Sequence, residues 1–567
     1  MSSSKKRWLA AAIAGLTLGM QATPAIACGC FAPPSPATPV VQAGERILFA
    51  QDGNTVTAHI QIQYQGAADD FGWLVPLPSV PTLELGTDEL FTALGAATNP
   101  QYTLTTTRQF CGGGSSSSKG VGCGGFATDE ASGSSVADAG LFAASDMGAN
   151  NPALVVKASI GPYDYAVLKA DDKTEMLKWL AGNHYYVPDA TGQAVAPYIH
   201  TGAFFLALKL RAGESAGDIV PVVLHYTSDL PMIPITLTQV GATENMGVLV
   251  WLLGEARAIP RNYSHVVLDE LPIWANPLNY PQLAVRAVRE APSHHAFLTE
   301  YAGGSSVMIG RLDYAGRFGD PTYLRNLTSP IAYVDYLKQH GYAFDATLYS
   351  LLEKHIPKPT NVGLSDAQYY GNLDYYYQGP AVDLDAGVAP AFDAAGLTDD
   401  IFQRIVTPDR AAAKLFDQHS YLTRLYTALS PVDMNLDPVF SQNPDLPNVS
   451  QAHQATLNFP CRGEAWLRTD TNLEQQWVSG FAPSLTLPAA LRIERLREEG
   501  PPEIVTDNGP AIRAAIGPVD HGSMAQDPEP SGAGCNCNVH RGGVSGALGT
   551  MVLVAGAILL ARKRRWS

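Results

Sequence analysis

Gly213-Glu214-Ser215-Ala216-Gly217 matches G-x-S-x-G, the spacing that in a nucleophile elbow lifts a serine hydroxyl above a sheet for acyl transfer. That chemistry needs a strand before the serine and a helix after it. Here Ala203 to Leu210 reads as one strand and Ile219 to Tyr226 as the next, and Pro221 opposes any helix between them. No HGGG-type oxyanion segment precedes the motif. Ser215 is therefore expected in a hairpin loop, and no catalytic residue is assigned from the sequence.

Other chemistry-bearing types are equally sparse. His294 and His295 are adjacent, so they point different ways, and no H-E-x-x-H spacing follows. Surface or packing histidines are the expectation. Asp383 and Asp385 lack the spacing and terminal Glu of an EF-hand. The glycine-rich run from 112 to 125 lacks the Lys-Ser/Thr ending of a phosphate loop. No metal site and no cofactor are expected. Tyr369, Tyr370, Tyr375, Tyr376 and Tyr377, with Asn372 and Gln378, could present flat aromatics and amides to a sugar or a protein, although plain packing explains them too. Arg424, Asp433 and Asp437 read as members of a structural salt bridge or cap.

Seven cysteines occur, at positions 28, 30, 111, 123, 461, 535 and 537. Cys111 and Cys123 enclose a Gly/Ser loop and form the disulfide candidate, worth about 3 kcal/mol in the chain-entropy account. Cys30 with Cys461 is the remaining pairing if Cys28 carries a lipid. The pairs Cys28-Gly29-Cys30 and Cys535-Asn536-Cys537 are C-x-C, not the C-x-x-C of thiol-disulfide oxidoreductases.

The chain ends supply an address. Lys5, Lys6 and Arg7 precede the apolar run Trp8 to Met20, and Ala25-Ile26-Ala27 fits the small-x-small cleavage rule. Residues 1–27 are thus expected to be a signal peptide, with Cys28 beginning the mature chain, free or lipidated. At the other end the uncharged run Val544 to Leu560 meets Arg562, Lys563, Arg564 and Arg565. At about 1.5 Å per residue such a helix spans a thin bilayer, and the cations hold its end in the cytoplasm. The body is then expected outside the cytoplasm, anchored in the membrane through this helix. A net charge of −16 repels nucleic acid and leaves cations, glycans or proteins as the expected partners.

The elements between follow from periodicity. Arg46 to Ala50 and Thr55 to Gln65 flank the turn pair Asp52-Gly53, and Val56, Ala58 and Ile60 alternate with Thr57 and His59. A hairpin with one buried face follows. Phe71 to Val75 is a strand expected to end at Pro76. Thr87 caps a short helix, and residues 112–151 form a flexible insertion rich in Gly, Ser and Ala. Ala153 to Ile160, Asp164 to Lys169, Ile233 to Val240 and Met246 to Leu253 are further strands, and Asp172 caps a helix. The even spacing implies antiparallel sheets in a sandwich or barrel. Beyond residue 290 the pattern turns helical: Ser329 with Pro330 opens one helix, Asp345 to His355 a second, Thr398 a third ending before Pro408, and Asp409 to Leu429 a longer fourth. Residues 501–534 read as a stalk.

The run Val41-Gln42-Ala43, Glu45-Arg46, the strand ending Ile62-Gln63-Tyr64-Gln65-Gly66, and Asp70-Phe71-Gly72-Trp73-Leu74-Val75-Pro76-Leu77-Pro78 resembles domain-of-unknown-function family 2330. Leu298-Thr299-Glu300-Tyr301 and Leu422-Thr423-Arg424-Leu425 with Met434, Asp437, Pro438 and Phe440 extend the likeness across residues 28 to 445. The chain opens Cys28-Gly29-Cys30-Phe31 where that family more often has Cys-Gly-Gly. The resemblance implies a topology and no catalytic residues. Separately, Gly534-Cys535-Asn536-Cys537, the apolar run and the Arg-rich end resemble the myxococcal C-terminal sorting tail. This implies tail processing at Cys535 or Cys537 and display on the envelope of a Gram-negative bacterium.

The expected molecule is α+β: a β-rich antiparallel domain over 28–290, a helix-rich domain over 291–500, a stalk over 501–534, and a tail over 535–567 carrying one transmembrane helix. Its expected role is a non-catalytic surface or binding protein, with an extracytoplasmic hydrolase as the competing class.

Overall fold

The computed structural model describes residues 41–65, 72–109, 153–185, 189–211, 219–313, 316–358, 363–378, 392–461, 464–469, 474–476 and 487–516. Ser215, Asp383, Asp385, every cysteine except Cys461, the 112–151 insertion, the signal segment and the tail lie outside the described residues. Among the described residues no helix is long and apolar enough to cross a membrane.

Among the described residues twenty strands appear in chain order. The first ten are β1 (Val41–Asp52), β2 (Thr55–Gln65), β3 (Gly72–Leu77), β4 (Thr82–Leu85), β5 (Gln101–Arg108), β6 (Leu154–Ile160), β7 (Tyr163–Lys169), β8 (Phe204–Leu210), β9 (Val222–Thr227) and β10 (Ala242–Gly254). The rest are β11 (Arg257–Pro260), β12 (Ser264–Leu268), β13 (Ala296–Gly304), β14 (Tyr421–Leu429), β15 (Phe440–Asn443), β16 (Ala452–Phe459), β17 (Trp466–Thr469), β18 (Glu474–Gln476), β19 (Ala490–Arg495) and β20 (Glu503–Asp507).

A ten-stranded sheet in the order β20-β19-β12-β13-β14-β10-β1-β2-β9-β4 is the frame. It takes strands from both sides of residue 290, so the expected boundary there falls inside one sheet. The sheet is mixed, not purely antiparallel: β1 runs parallel to β10, and β12 parallel to β13. One of its faces packs on the four-stranded sheet β3-β8-β7-β6, burying Ile47, Phe49, Val56, Trp73, Val75, Leu206 and Val250 in a common core. Its other face buries Leu48, Ala50, Trp251 and Leu422 under the helices Asp88–Thr98 and Thr407–Gln418. The helices between Pro321 and Ile401 build a separate core around Tyr333, Leu337, Leu351, Tyr370 and Leu397.

Local chemistry explains most boundaries. Gly53, at φ 57°, opens the two-residue turn between Asp52 and Thr55, one residue later than the expected turn pair. Thr87, Asp172, Ser329 and Asp345 each accept a backbone N–H at a helix start, as their types predict.

Five expectations fail for physical reasons. Pro76 does not end β3, which runs on to Leu77; β3 is an edge strand, where a missing N–H is tolerated. Ile233 to Val240 is not a strand, since Ile235–Thr238 is a helical turn following Pro234. Thr398 is not a cap but lies inside the helix Ala394–Ile401, its hydroxyl donating to the Ala394 carbonyl at 2.7 Å. Pro408 does not stop that helix; a π turn over Phe402–Val406 carries it onward into Thr407–Gln418. Tyr421 to Leu429 is β14, not the end of a long helix. That strand is central and covered on both faces, so its buried residues, Thr423, Arg424 and Thr427 among them, run on without alternation. The start of the expected stalk also folds, as β20 and the helix Gly509–Ile516.

Candidate functional site

At one end of the large sheet a cavity of about 1100 Å³ opens between β12, β13 and β19 on one side and β5 and β16 on the other. The short helix Leu271–Ala275, the start of the helix Tyr280–Arg289 and the turn 447–450 close its sides.

Strand register assembles its centre. His265 on β12 stands directly opposite Glu494 on the antiparallel β19. Its Nδ1 lies 3.1 Å from Glu494 Oε2, and its Nε2 lies 3.0 Å from Thr299 Oγ1 on β13. Arg257, from β11, donates to the same Thr299 oxygen at 3.0 Å and to the Pro447 carbonyl at 3.0 Å. Because the guanidinium fills one lone pair of that hydroxyl, the Thr299 proton is directed at His265 Nε2. The ring then carries its proton on Nδ1, facing Glu494. Burial holds the His265 pKa below its ordinary value, and the hydrogen bond from His265 holds Glu494 below its own against the opposing effect of burial.

A bulge adds the next group. The pairing of β13 with β14 shifts between Thr299 and Tyr301, leaving Glu300 as the extra residue. Consecutive strand residues ordinarily face opposite sides of a sheet; the bulge lets Thr299 and Glu300 both line the cavity. Glu300 accepts hydrogen bonds from Tyr280 Oη and from Arg424 Nε, and Arg424 continues to Thr98 and Asn99. Burial first, and then Glu300, raise the Tyr280 pKa well above its ordinary value, so the phenol stays a donor.

The opposite wall mixes rings and acids. His453 Nδ1 lies 2.8 Å from Glu270 Oε1, and its ring stacks on Tyr102 at 4.6 Å between centroids. Asp269 directly follows β12; its Oδ1 accepts from Leu271 N at 3.3 Å, while its buried Oδ2 has no partner among the described residues. Burial raises the Asp269 pKa to about 6. The Arg257 Nε is likewise without a partner. Asp269 Oδ2, Arg257 Nε and Arg492 Nε are thus enclosed in the walls of the cavity without a hydrogen bond among the described residues.

Of the residues singled out from sequence, Thr299 and Glu300 line this cavity and Arg424 anchors it from behind. The others among the described residues lie elsewhere. His294 Nδ1 and His295 Nε2 contact the Asp433 carboxylate and carbonyl at 2.8 and 2.7 Å. Asp437 accepts from Thr236 and Tyr198. Tyr369 and Tyr370 are core residues, with only Tyr375 strongly exposed. Among the described residues no cluster of three His, Cys, Asp or Glu could hold a metal. Sequence reasoning missed His265, Arg257, Asp269 and Glu494. The available signal was a histidine inside the apolar strand Ser264–Leu268 and a Thr-Glu pair inside β13.

Residues 23–351, more than half of the 567, match the family described as "Uncharacterized protein conserved in bacteria (DUF2330)". The resembling segments from Leu422 onward lie beyond that match. No curated protein matches the chain, and neither does any solved structure.

Proposed function

We propose that this chain, which belongs to the DUF2330 family of uncharacterised bacterial proteins, is a ligand-binding ectodomain displayed at the cell envelope, and that its large cavity takes a small polyhydroxylated ligand such as a glycan fragment. The observation that carries this reading is the make-up of the cavity. His265 pairs with Glu494, Glu300 with Arg424 and Glu270 with His453, while Arg257 donates to the neutral Thr299 hydroxyl and Pro447 carbonyl. A charged group brought to any of these three carboxylates would have to break its pair. An uncharged hydroxyl ligand needs only donors and acceptors, and the lining side chains of Asp269 and Arg257 supply them. Tyr102 and Tyr280 add aromatic surface of the kind that packs on sugar rings. Secretion and membrane anchoring rest on the terminal sequences alone. A glycan array probed with the purified chain tests the reading. Binding that Tyr102→Ala and Asp269→Asn each weaken at least tenfold would support it; no glycan binding, or binding indifferent to both changes, would refute it.

The hydroxyl–imidazole–carboxylate line Thr299–His265–Glu494 favours a second reading, a hydrolase with Thr299 as nucleophile. Arg257 would stabilise the alkoxide. Covalent labelling by a fluorophosphonate that disappears in Thr299→Val would promote it over binding.

A further inference from the structure

A second cavity, of about 170 Å³, lies between the two packed sheets on the far side of the fold, lined by Ile47, Phe49, Ile60, Trp73, Leu224 and Tyr226. One lining residue is out of keeping with the rest. Glu45 shares the face of β1 that carries Ile47 and Phe49, between Ile62 of β2 and Val248 of β10. Its residue exposure is 6%. Its Oε2 is fully enclosed and has no hydrogen-bond partner among the described residues. Burial raises its pKa to about 7.

An enclosed carboxyl oxygen with no partner costs stability, and a hydrophobic residue of like volume would remove that cost. The arrangement makes sense if something else supplies the donor. We infer that this cavity is a binding site for a small organic ammonium ion, an apolar body of one ring or short chain whose amine meets Glu45. Size sets the upper limit: a cavity of about 150 Å³ holds one benzene molecule. Charge sets the head group, because Glu45 is the only acidic residue lining the cavity among the described residues. The ring faces of Phe49, Trp73 and Tyr226 suit a cation as well as an apolar body. The site is separate from the large polar cavity, with no lining residue in common.

Calorimetry on the full chain with benzylammonium and its neutral isostere benzyl alcohol tests this. Benzylammonium should bind at least tenfold tighter than benzyl alcohol. Glu45→Gln should lose at least tenfold for the amine and change the alcohol less than threefold. Filling the space with Ala58→Leu, a lining position on β2, should abolish both. Equal affinity for the two probes, no binding of either, or an amine affinity unmoved by Glu45→Gln would overturn the inference. Glu45→Gln is expected to fold, since it removes a costly buried charge, and its thermal midpoint at pH 7 should equal or exceed that of the parent. If it does not fold, Ala58→Leu and the two-probe comparison still decide the matter.

Discussion

His265 and Glu494 face each other across the β12–β19 pair, 3.1 Å apart, with side chains only 6% and 5% exposed. Because β12 precedes β19 by more than two hundred residues, no sequence spacing announces this contact. It fixes the imidazole that orients Thr299, and through Thr299 the whole polar floor of the large cavity.

Removing one partner should therefore cost more than removing both. Glu494→Leu leaves His265 and Arg492 facing an apolar wall and should destabilise by about 3 kcal/mol, by analogy with broken buried pairs. The double change His265→Leu with Glu494→Leu should recover at least half of that loss. Urea titration of the four-member cycle measures it.

The Arg424–Glu300 pair predicts a similar asymmetry. Both side chains are buried, at 6% and 3% exposure, so Arg424→Leu strands a carboxylate and should cost about 3 to 5 kcal/mol. Because Glu300 also accepts from Tyr280 at the cavity rim, the same variant should weaken glycan binding. Arg424→Lys should rescue stability only in part, since one ammonium cannot reach Thr98, Asn99 and Glu300 together.

His59 makes stability depend on pH in a stated direction. Burial first, and then His225, lower its pKa from 6.5 to about 3. The unfolded chain binds this proton before the folded chain does, so stability is full above about pH 6.5 and falls as the pH drops toward 3. Between pH 7 and 4 this one group accounts for a loss of roughly 3 kcal/mol. His59→Leu should flatten the profile, as denaturation at a series of pH values would show. Glu45 acts with the opposite sign, its stabilising share being present below pH 4.5 and lost as the pH rises through 7.

Cys461 is disulfide-bonded. The parallel register of β5 on β16 places Phe459 beside Arg108, and Cys461 Sγ lies 3.6 Å from the Gln109 carbonyl. Cys111 follows Gln109 by two residues, which makes it the partner expected here, beside the Cys111–Cys123 and Cys30–Cys461 pairings that the sequence leaves open. Non-reducing peptide mapping should recover the Cys111–Cys461 linkage. Recovery of Cys111 with Cys123 would show that the register does not decide it.

The terminal segments carry their own test. Intact mass should place the mature N-terminus at Cys28, and deleting 544–567 should move the body from membranes to the soluble fraction. A truncated chain that still pellets would point to a lipid on Cys28.

Features that depend on near neighbours are legible in the sequence. Caps at Thr87, Asp172, Ser329 and Asp345, the β1–β2 hairpin and the alternation of Val56, Ala58 and Ile60 are all local, since one side chain and the next few backbone groups decide them. Family membership was also legible, through the run from Val41 to Pro78. Tertiary structure alone decided the rest. It turned Tyr421–Leu429 into a central strand, because burial on both faces erases the alternation by which a strand is recognised. It joined both halves of the chain in one sheet. It also gave Thr299 and Glu300 a common side, because a bulge arises from the pairing of β13 with β14 and not from either strand alone. The site was unreadable for the same reason: His265, Thr299 and Glu494 meet only once β12, β13 and β19 lie side by side, and strand order is a long-range property that no local pattern encodes.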